Sequence, residues 1–411
     1  MWQATASNQR TLRGMRPPVR PLRALLLGLA LLSPALAGGG GAPRALTPDF
    51  TGSWPVDCDP VAERMDGCRL LVPIPAGTPL PGPEQVRIVP ERDRLTVLYR
   101  PPAGARSVTL CCGLQLPLSP IPGTGVWAVT AQVNGLERAV LSTGILVDGR
   151  LQTPGQRAIW RGPKAPAAAE RAAYLVGRLH RFTLRADSPL IGVREITVYT
   201  PPGWNRNKPL PVVYLADGAA VSGFANTLEP AIRKGTVPPV ILVGIDSAPS
   251  MPAGLTNYRP EDDQRSQEYL EGWQGGAERF AAHEAFLLQT VLPQIEREYG
   301  TSSAPEGRVV GGVSNGGAWA ISMAARHPDV FRGVLALSPS NTGRQGTPHA
   351  EARVFTGGGT LEPAFLASAR KYAALTTQSG QATRLQDWVG GHDFAVWEEM
   401  LPAGLAFLLG K

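Results

Sequence analysis

A serine set between two glycines at a spacing of two is the first place in this chain where chemistry could occur. Gly312-Val313-Ser314-Asn315-Gly316 follows the apolar pair Val309-Val310 and precedes Ala318 to Arg326, a helical run stopped by His327-Pro328. Strand, sharp turn and helix in that order make a nucleophile elbow. The turn holds the serine at a strained backbone angle and lifts its hydroxyl from the sheet. Glycine is required two before and two after because a Cβ at either place would crowd the turn. A serine hydroxyl is a weak nucleophile near neutral pH, so it needs a base to take its proton and N–H donors to hold the oxyanion.

With 5 histidines the search for the base is short. His180 and His283 precede the serine. His327 ends the serine's own helix and should point away from the turn, and His349 lies in a polar loop ahead of any candidate acid. His392 is left, in Val389-Gly390-Gly391-His392-Asp393-Phe394, between a last strand and a last helix. The acid should follow the preceding strand, in Thr356 to Pro363, where Glu362 is the only carboxylate. A glutamate before Pro363 also suits a helix start, so both roles stand. Asp387, on the last strand, and Asp393, beside His392, are worse placed. The N–H of Asn315 would be one oxyanion donor. The second would come from Gly218 or Ala219, in the loop after Tyr214-Leu215-Ala216-Asp217.

The elements that must position these residues can be drawn from periodicity. From Leu184 strands alternate with helices, which implies a mostly parallel sheet covered on both faces. Strands are predicted at Arg194–Tyr199, Pro211–Ala216, Val240–Ile245, Arg308–Gly311, Gly333–Ser338, Ala352–Thr356 and Thr383–Val389. Helices are predicted at Phe224–Lys234, Gly276–Tyr299, Asn315–Arg326, Pro363–Thr377 and Phe394–Leu409. This is the α/β-hydrolase layout over residues 184–411. Residues 51–150 instead show short β-like runs between turn signals, which predicts a small all-β sandwich serving as an accessory. Residues 151–183 link the two, with a helix expected at Ala167–Leu175 after Pro166. Asp246–Gly275 is too long for a plain connection and should edge the pocket. Its Arg259, Arg265 and Trp273 would suit a small-molecule ester that is aromatic or anionic.

The N-terminus reads as an export signal. Arg10, Arg13, Arg16, Arg20 and Arg23 precede an apolar run, and Ser33 to Ala37 supplies small residues for a cut after Ala37. Residues 1–37 are therefore expected to be a signal peptide, too short in its apolar part to span a bilayer, with 38–50 a tether. Five arginines and no acid lie in that leader, so the formal charge of +7 falls to +2 without it. The basic balance is then no argument for nucleic-acid binding, and no stable membrane span is expected after cleavage. The 4 cysteines sit in the N-terminal third, and an exported chain permits disulfides. Cys58 and Cys68 are the expected pair. No metal or organic cofactor is expected.

The ordered motifs resemble a known family. Arg194 to Gly203, Pro211 to Gly218, Arg265-Ser266-Gln267-Glu268-Tyr269, Gly312 to Gly317, Arg326 to Phe331 and Gly390-Gly391-His392-Asp393 with Trp397 are similar to the esterases that include esterase D, feruloyl esterases, mycolyltransferases and enterochelin esterases. Asp217-Gly218 and the preceding β region look most like the enterochelin-esterase branch. The resemblance implies Ser314 as nucleophile, His392 as base and a carboxylate near Glu362. The expected activity is hydrolysis of a carboxylic ester through an acyl-enzyme. Acyl transfer to a sugar or lipid, and a binding protein with a degenerate hydrolase domain, are the alternatives.

Overall fold

The computed structural model describes residues 67–70, 74, 77–152, 159–250, 259–340 and 346–410. The expected signal peptide, the tether and Cys58 lie outside the described residues. Cys68 and Cys111 are both disulfide-bonded.

Among the described residues ten strands come first: β1 (Gly67–Leu70), β2 (Val86–Glu91), β3 (Arg94–Tyr99), β4 (Val108–Cys112), β5 (Leu116–Pro117), β6 (Ser119–Ile121), β7 (Val126–Val133), β8 (Val140–Val147), β9 (Arg150–Leu151) and β10 (Ile159–Arg161). They form two sheets, one ordered β1-β7-β3-β2 with β6 on β7, the other β10-β8-β4-β5 with β9 on β8. Every pairing among them is antiparallel. Leu95, Val97 and Tyr99 of β3 meet Val108 and Leu110 of β4 and Leu141 of β8 in one buried core. Alternating apolar residues give each sheet one greasy face, and burying both faces against each other is the stable solution.

The rest is an eight-stranded sheet: β11 (Arg178–Arg185), β12 (Val193–Thr200), β13 (Val212–Ala216), β14 (Ile241–Ile245), β15 (Arg308–Val313), β16 (Gly333–Leu337), β17 (Arg353–Gly359) and β18 (Ala382–Trp388), ordered β11-β12-β14-β13-β15-β16-β17-β18. β11, β12 and β14 run antiparallel to their neighbours in turn, and from β14 onward every pair is parallel. The central strands are buried throughout, as strands covered on both faces must be. Val212, Tyr214 and Ala216 face one core and Val213 and Leu215 the other. Helices α2 (Gln264–Tyr269), α3 (Ala277–Ala285), α4 (Leu292–Tyr299) and α5 (Asn315–Arg326) contribute to the first core. Helices α1 (Val221–Arg233) and α7 (Phe394–Leu409) contribute to the second. α6 (Pro363–Gln378) packs on β17 and β18.

Three departures from expectation have physical reasons. The sheet starts at Arg178, six residues before the expected boundary at 184, because the alternating His180, Phe182 and Leu184 pack inward along an edge strand. No helix forms over Ala167–Leu175. That stretch is held by other means: Ala172 N–H donates to the Asn226 carbonyl at 2.7 Å, and buried Glu229 accepts from Val176 and Gly177 N–H, each at 2.8 Å, and from Tyr199 Oη at 3.0 Å. The helix expected over Gly276–Tyr299 passes through a π-helical turn at Phe286–Val291. Pro293 follows it and cannot supply an N–H to the α-helical ladder.

Candidate active site

The elbow forms between β15 and α5. Ser314 takes φ +57° and ψ −126°, a conformation that costs a non-glycine residue about 1–3 kcal/mol. Flanking bonds hold it: Ser314 N–H donates to the Leu337 carbonyl at 3.0 Å, and Ser340 N–H donates to the Ser314 carbonyl at 3.2 Å. Gly312 and Gly316 close the turn. A Cβ on Gly312 would overlap the Gly316 backbone, and one on Gly316 would come within 2.7 Å of the Ala216 methyl. Ser314 is 3% exposed.

Glu362 and His392 leave the same edge of the sheet. β15, β16, β17 and β18 are adjacent and parallel, so the residues after them emerge together at their C-terminal ends. Glu362 stands at the start of α6, yet its carboxylate makes no bond to the helix. Oε2 faces His392 Nδ1, and Oε1 accepts from Ser338 Oγ at 2.6 Å and from Gly359 N–H at 2.5 Å. Ser338, itself at φ +44°, accepts from Trp397 Nε1 at 2.7 Å. A chain of side chains thus runs Trp397, Ser338, Glu362, His392. The His392 ring is wedged between Phe365, 4.1 Å between centroids, and the edge-on ring of Trp397 at 4.7 Å. Its Nε2 is buried and has no hydrogen-bond partner among the described residues. A buried imidazole with one nitrogen held by a carboxylate and the other free can take a proton from a hydroxyl and return it.

The first N–H of α5, that of Asn315, has no acceptor within its helix and lies at the positive end of the helix dipole. Of the two expected partners for it, Ala219 is already engaged: its N–H donates to Asp246 Oδ1 at 3.0 Å. Gly218 opens the 3-10 turn Gly218–Ala220, so its N–H has no partner within that turn. Asp217 before it adopts φ +58° and is clamped there. Arg265 Nε and Nη2 donate to its two oxygens at 2.8 and 2.7 Å, and its own N–H donates to Tyr269 Oη at 2.9 Å.

That clamp gives Arg265 a partner within the chain. Its side chain is 8% exposed, and its Nε–H and one Nη2–H are spent on Asp217. The Asp217 charge beside it keeps its pKa raised in spite of desolvation, which alone would lower it. Trp273 is likewise committed, its Nε1 donating to the Pro260 carbonyl at 2.7 Å. Arg259 is exposed, at the start of a 3-10 turn. The segment does reach the elbow, through a residue that the sequence did not single out: Ser266 Oγ accepts from Asn315 Nδ2 at 3.0 Å and donates to Asp263 Oδ2 at 2.7 Å. His283, which precedes the serine, is fully buried between Tyr269 and Trp319, and burial pushes it down to about 3.

Residues 191–408 match the family described as "Putative esterase". The chain belongs to that esterase family. Over 354 residues, 78% of this chain and 79% of the relative, it is 24% identical to the iron(III) salmochelin esterase of Escherichia coli O6:H1. The crystal structure of the enterobactin esterase from Shigella flexneri in the presence of enterobactin aligns with a TM-score of 0.59 at 18% identity, covering 79% of this chain and 96% of that one. The ferric enterobactin esterase from Salmonella typhimurium aligns with a TM-score of 0.58, 18% identity and the same coverage of 79% and 96%. At these identities the structural likeness establishes a shared fold, of the α/β-hydrolase type. No helix among the described residues is long and apolar enough to cross a membrane.

Proposed function

We propose that this esterase-family member is an exported serine esterase that cleaves a carboxylic ester through an acyl-enzyme on Ser314. The observation that carries the reading is the free, buried Nε2 of His392, with Nδ1 on Glu362, at the same sheet edge as a serine in a strained elbow. Ser314 Oγ attacks the ester carbonyl while His392 Nε2 takes its proton. The N–H groups of Asn315 and Gly218 receive the oxyanion, and each such donor supports about 3 kcal/mol of barrier lowering. His392 then hands the proton to the leaving alcohol. Water, activated by the same nitrogen, releases the acid and regenerates the serine.

Export rests on the arginine-led leader of residues 1–37 and on Cys68 and Cys111 being disulfide-bonded, which suits an oxidising compartment. We read the two N-terminal sheets, facing each other across one core, as the accessory sandwich. The relatives named for salmochelin and enterobactin direct the first substrates to test: enterobactin, beside a short-chain aryl ester and a feruloyl ester. The purified chain is expected to hydrolyse at least one of them and to be labelled by a fluorophosphonate. Ser314→Ala should abolish both. Activity that survives Ser314→Ala would dispose of this nucleophile, and analysis of products with an added alcohol separates hydrolysis from acyl transfer.

A further inference from the structure

The N-terminal sheets touch the eight-stranded sheet where His392 leaves it. Val140 N–H of β8 donates to the Val389 carbonyl at 2.8 Å, and Ser142 N–H, two residues on, donates to Asp393 Oδ2 at 3.1 Å. Gly391 lies so close to Gly113 that a Cβ on it would overlap the Gly113 carbonyl. Leu361, which precedes Glu362, belongs to the core of the N-terminal sheets, and Val389 packs against that core. Contacts from the first part of the chain therefore fall on both flanks of the histidine and beside its carboxylate.

Asp393 joins two of these elements. Its Oδ1 accepts from Ala395 N–H at 3.1 Å, capping α7, while Oδ2 holds β8. Glu362 fixes one ring nitrogen of His392 but leaves open where the loop carries the ring. Two glycines precede that histidine, and glycine pairs restrain a backbone least. Catalytic groups must be held to within about 0.5 Å by the packing around them. Phe365 and Trp397 pack the ring itself, while β8 and Gly113 hold the loop on either side of it.

We infer that Asp393 is a positioning residue for His392, working with Ser142 and Gly113, so that the N-terminal sheets are part of the catalytic centre. This rests on the reading of His392 as base. The rival is that Asp393 only caps α7. Asp393→Ser separates the two, because serine caps a helix as well as aspartate but brings a single, shorter-reaching oxygen. Asp393→Asn keeps the reach but has one acceptor oxygen, so it can serve Ala395 N–H or Ser142 N–H and not both.

The test uses the full exported chain, with 4-nitrophenyl acetate as substrate and the low-field proton resonance of His392 Nδ1–H, assigned by its loss in His392→Ala. Asp393→Ser should lower kcat by up to about a hundredfold, the cost of a misplacement near 1 Å. KM should stay within about twofold, the resonance should broaden or vanish, and the melting temperature should stay near that of the parent. Asp393→Asn should also fall short of parental kcat, because its NH2 must face one of the two N–H donors. An Asp393→Ser protein with parental kcat and an unchanged resonance would overturn the inference, as would a raised KM at constant kcat. Should Ser314→Ala stay active, the serine reading falls, and the resonance still decides the role of Asp393.

Discussion

Replacing Glu362 by glutamine tests the site at its tightest point. The carboxylate accepts three hydrogen bonds: two on Oε1, from Ser338 Oγ and Gly359 N–H, and one on Oε2, from His392 Nδ1. Glutamine has one acceptor oxygen and one donor NH2. Gly359 offers an N–H that cannot be turned round, so the oxygen must stay on its side. The opposite orientation would set two donors face to face and leave a buried N–H unpaired, costing about 1–3 kcal/mol. The NH2 then meets His392 Nδ1, which must become the acceptor, and the proton moves to Nε2. An Nε2–H cannot take the serine proton. In a triad the wrong tautomer costs about 10⁴ in kcat, or about 5 kcal/mol of barrier. Glu362→Gln should therefore fall by that order in kcat for an aryl ester between about pH 6 and 9, with far-ultraviolet circular dichroism unchanged. A variant retaining more than about a tenth of parental kcat would refute the tautomer argument and leave Ser314 and His392 acting as a dyad.

Other outcomes follow from single contacts. Arg265→Met strands the buried Asp217 carboxylate and should lower unfolding stability by about 3–5 kcal/mol in urea titrations, with Arg265→Lys failing to restore it because lysine cannot make the bidentate pair. Burial, and then the Glu195 carboxylate, push Asp246 up to about 6 from 3.8. The folded state thus binds this proton more tightly than the unfolded chain, so the buried charge destabilises above about pH 6 and that cost fades as pH falls toward 4. Asp246→Asn, which keeps an oxygen for Ala219 N–H, should gain up to about 2–3 kcal/mol at pH 8 and nothing at pH 3.5, by denaturant midpoints at both. Gly391→Ala must push the histidine loop off Gly113, and a large loss of kcat with retained fold is expected.

Local signals were readable because each is written in neighbouring residues. The elbow needs only glycines two either side of Ser314, and α5 spans Asn315–Arg326 as its sequence predicts. Strands covered on both faces read as unbroken apolar runs, which is why β13 and β14 were drawn to within a residue. Glu362 and His392 become candidates by elimination among few carboxylates and histidines, and the structure pairs them. What stayed hidden is what depends on partners far along the chain. Nothing near Arg265 reveals that Asp217, forty-eight positions earlier, accepts from its Nε and Nη2. Ser338 and Trp397 support Glu362 from other elements and carry no local signature of doing so. β11 was missed because its apolar residues alternate with three arginines, the mark of an edge strand that also fits a solvated linker.

The Ala- and Pro-rich stretch ahead of β11 has the composition of a loose joint, but Glu229 and Asn226 pin it at its far end. Arg171 pairs with Glu398, and Arg161 with Glu399, on the outer turns of α7. These contacts, with those of β8 on the histidine loop, oppose a clamshell opening of the two halves. A tether placed across the halves should therefore leave turnover unchanged, and a loss of turnover on cross-linking them would show that they must part.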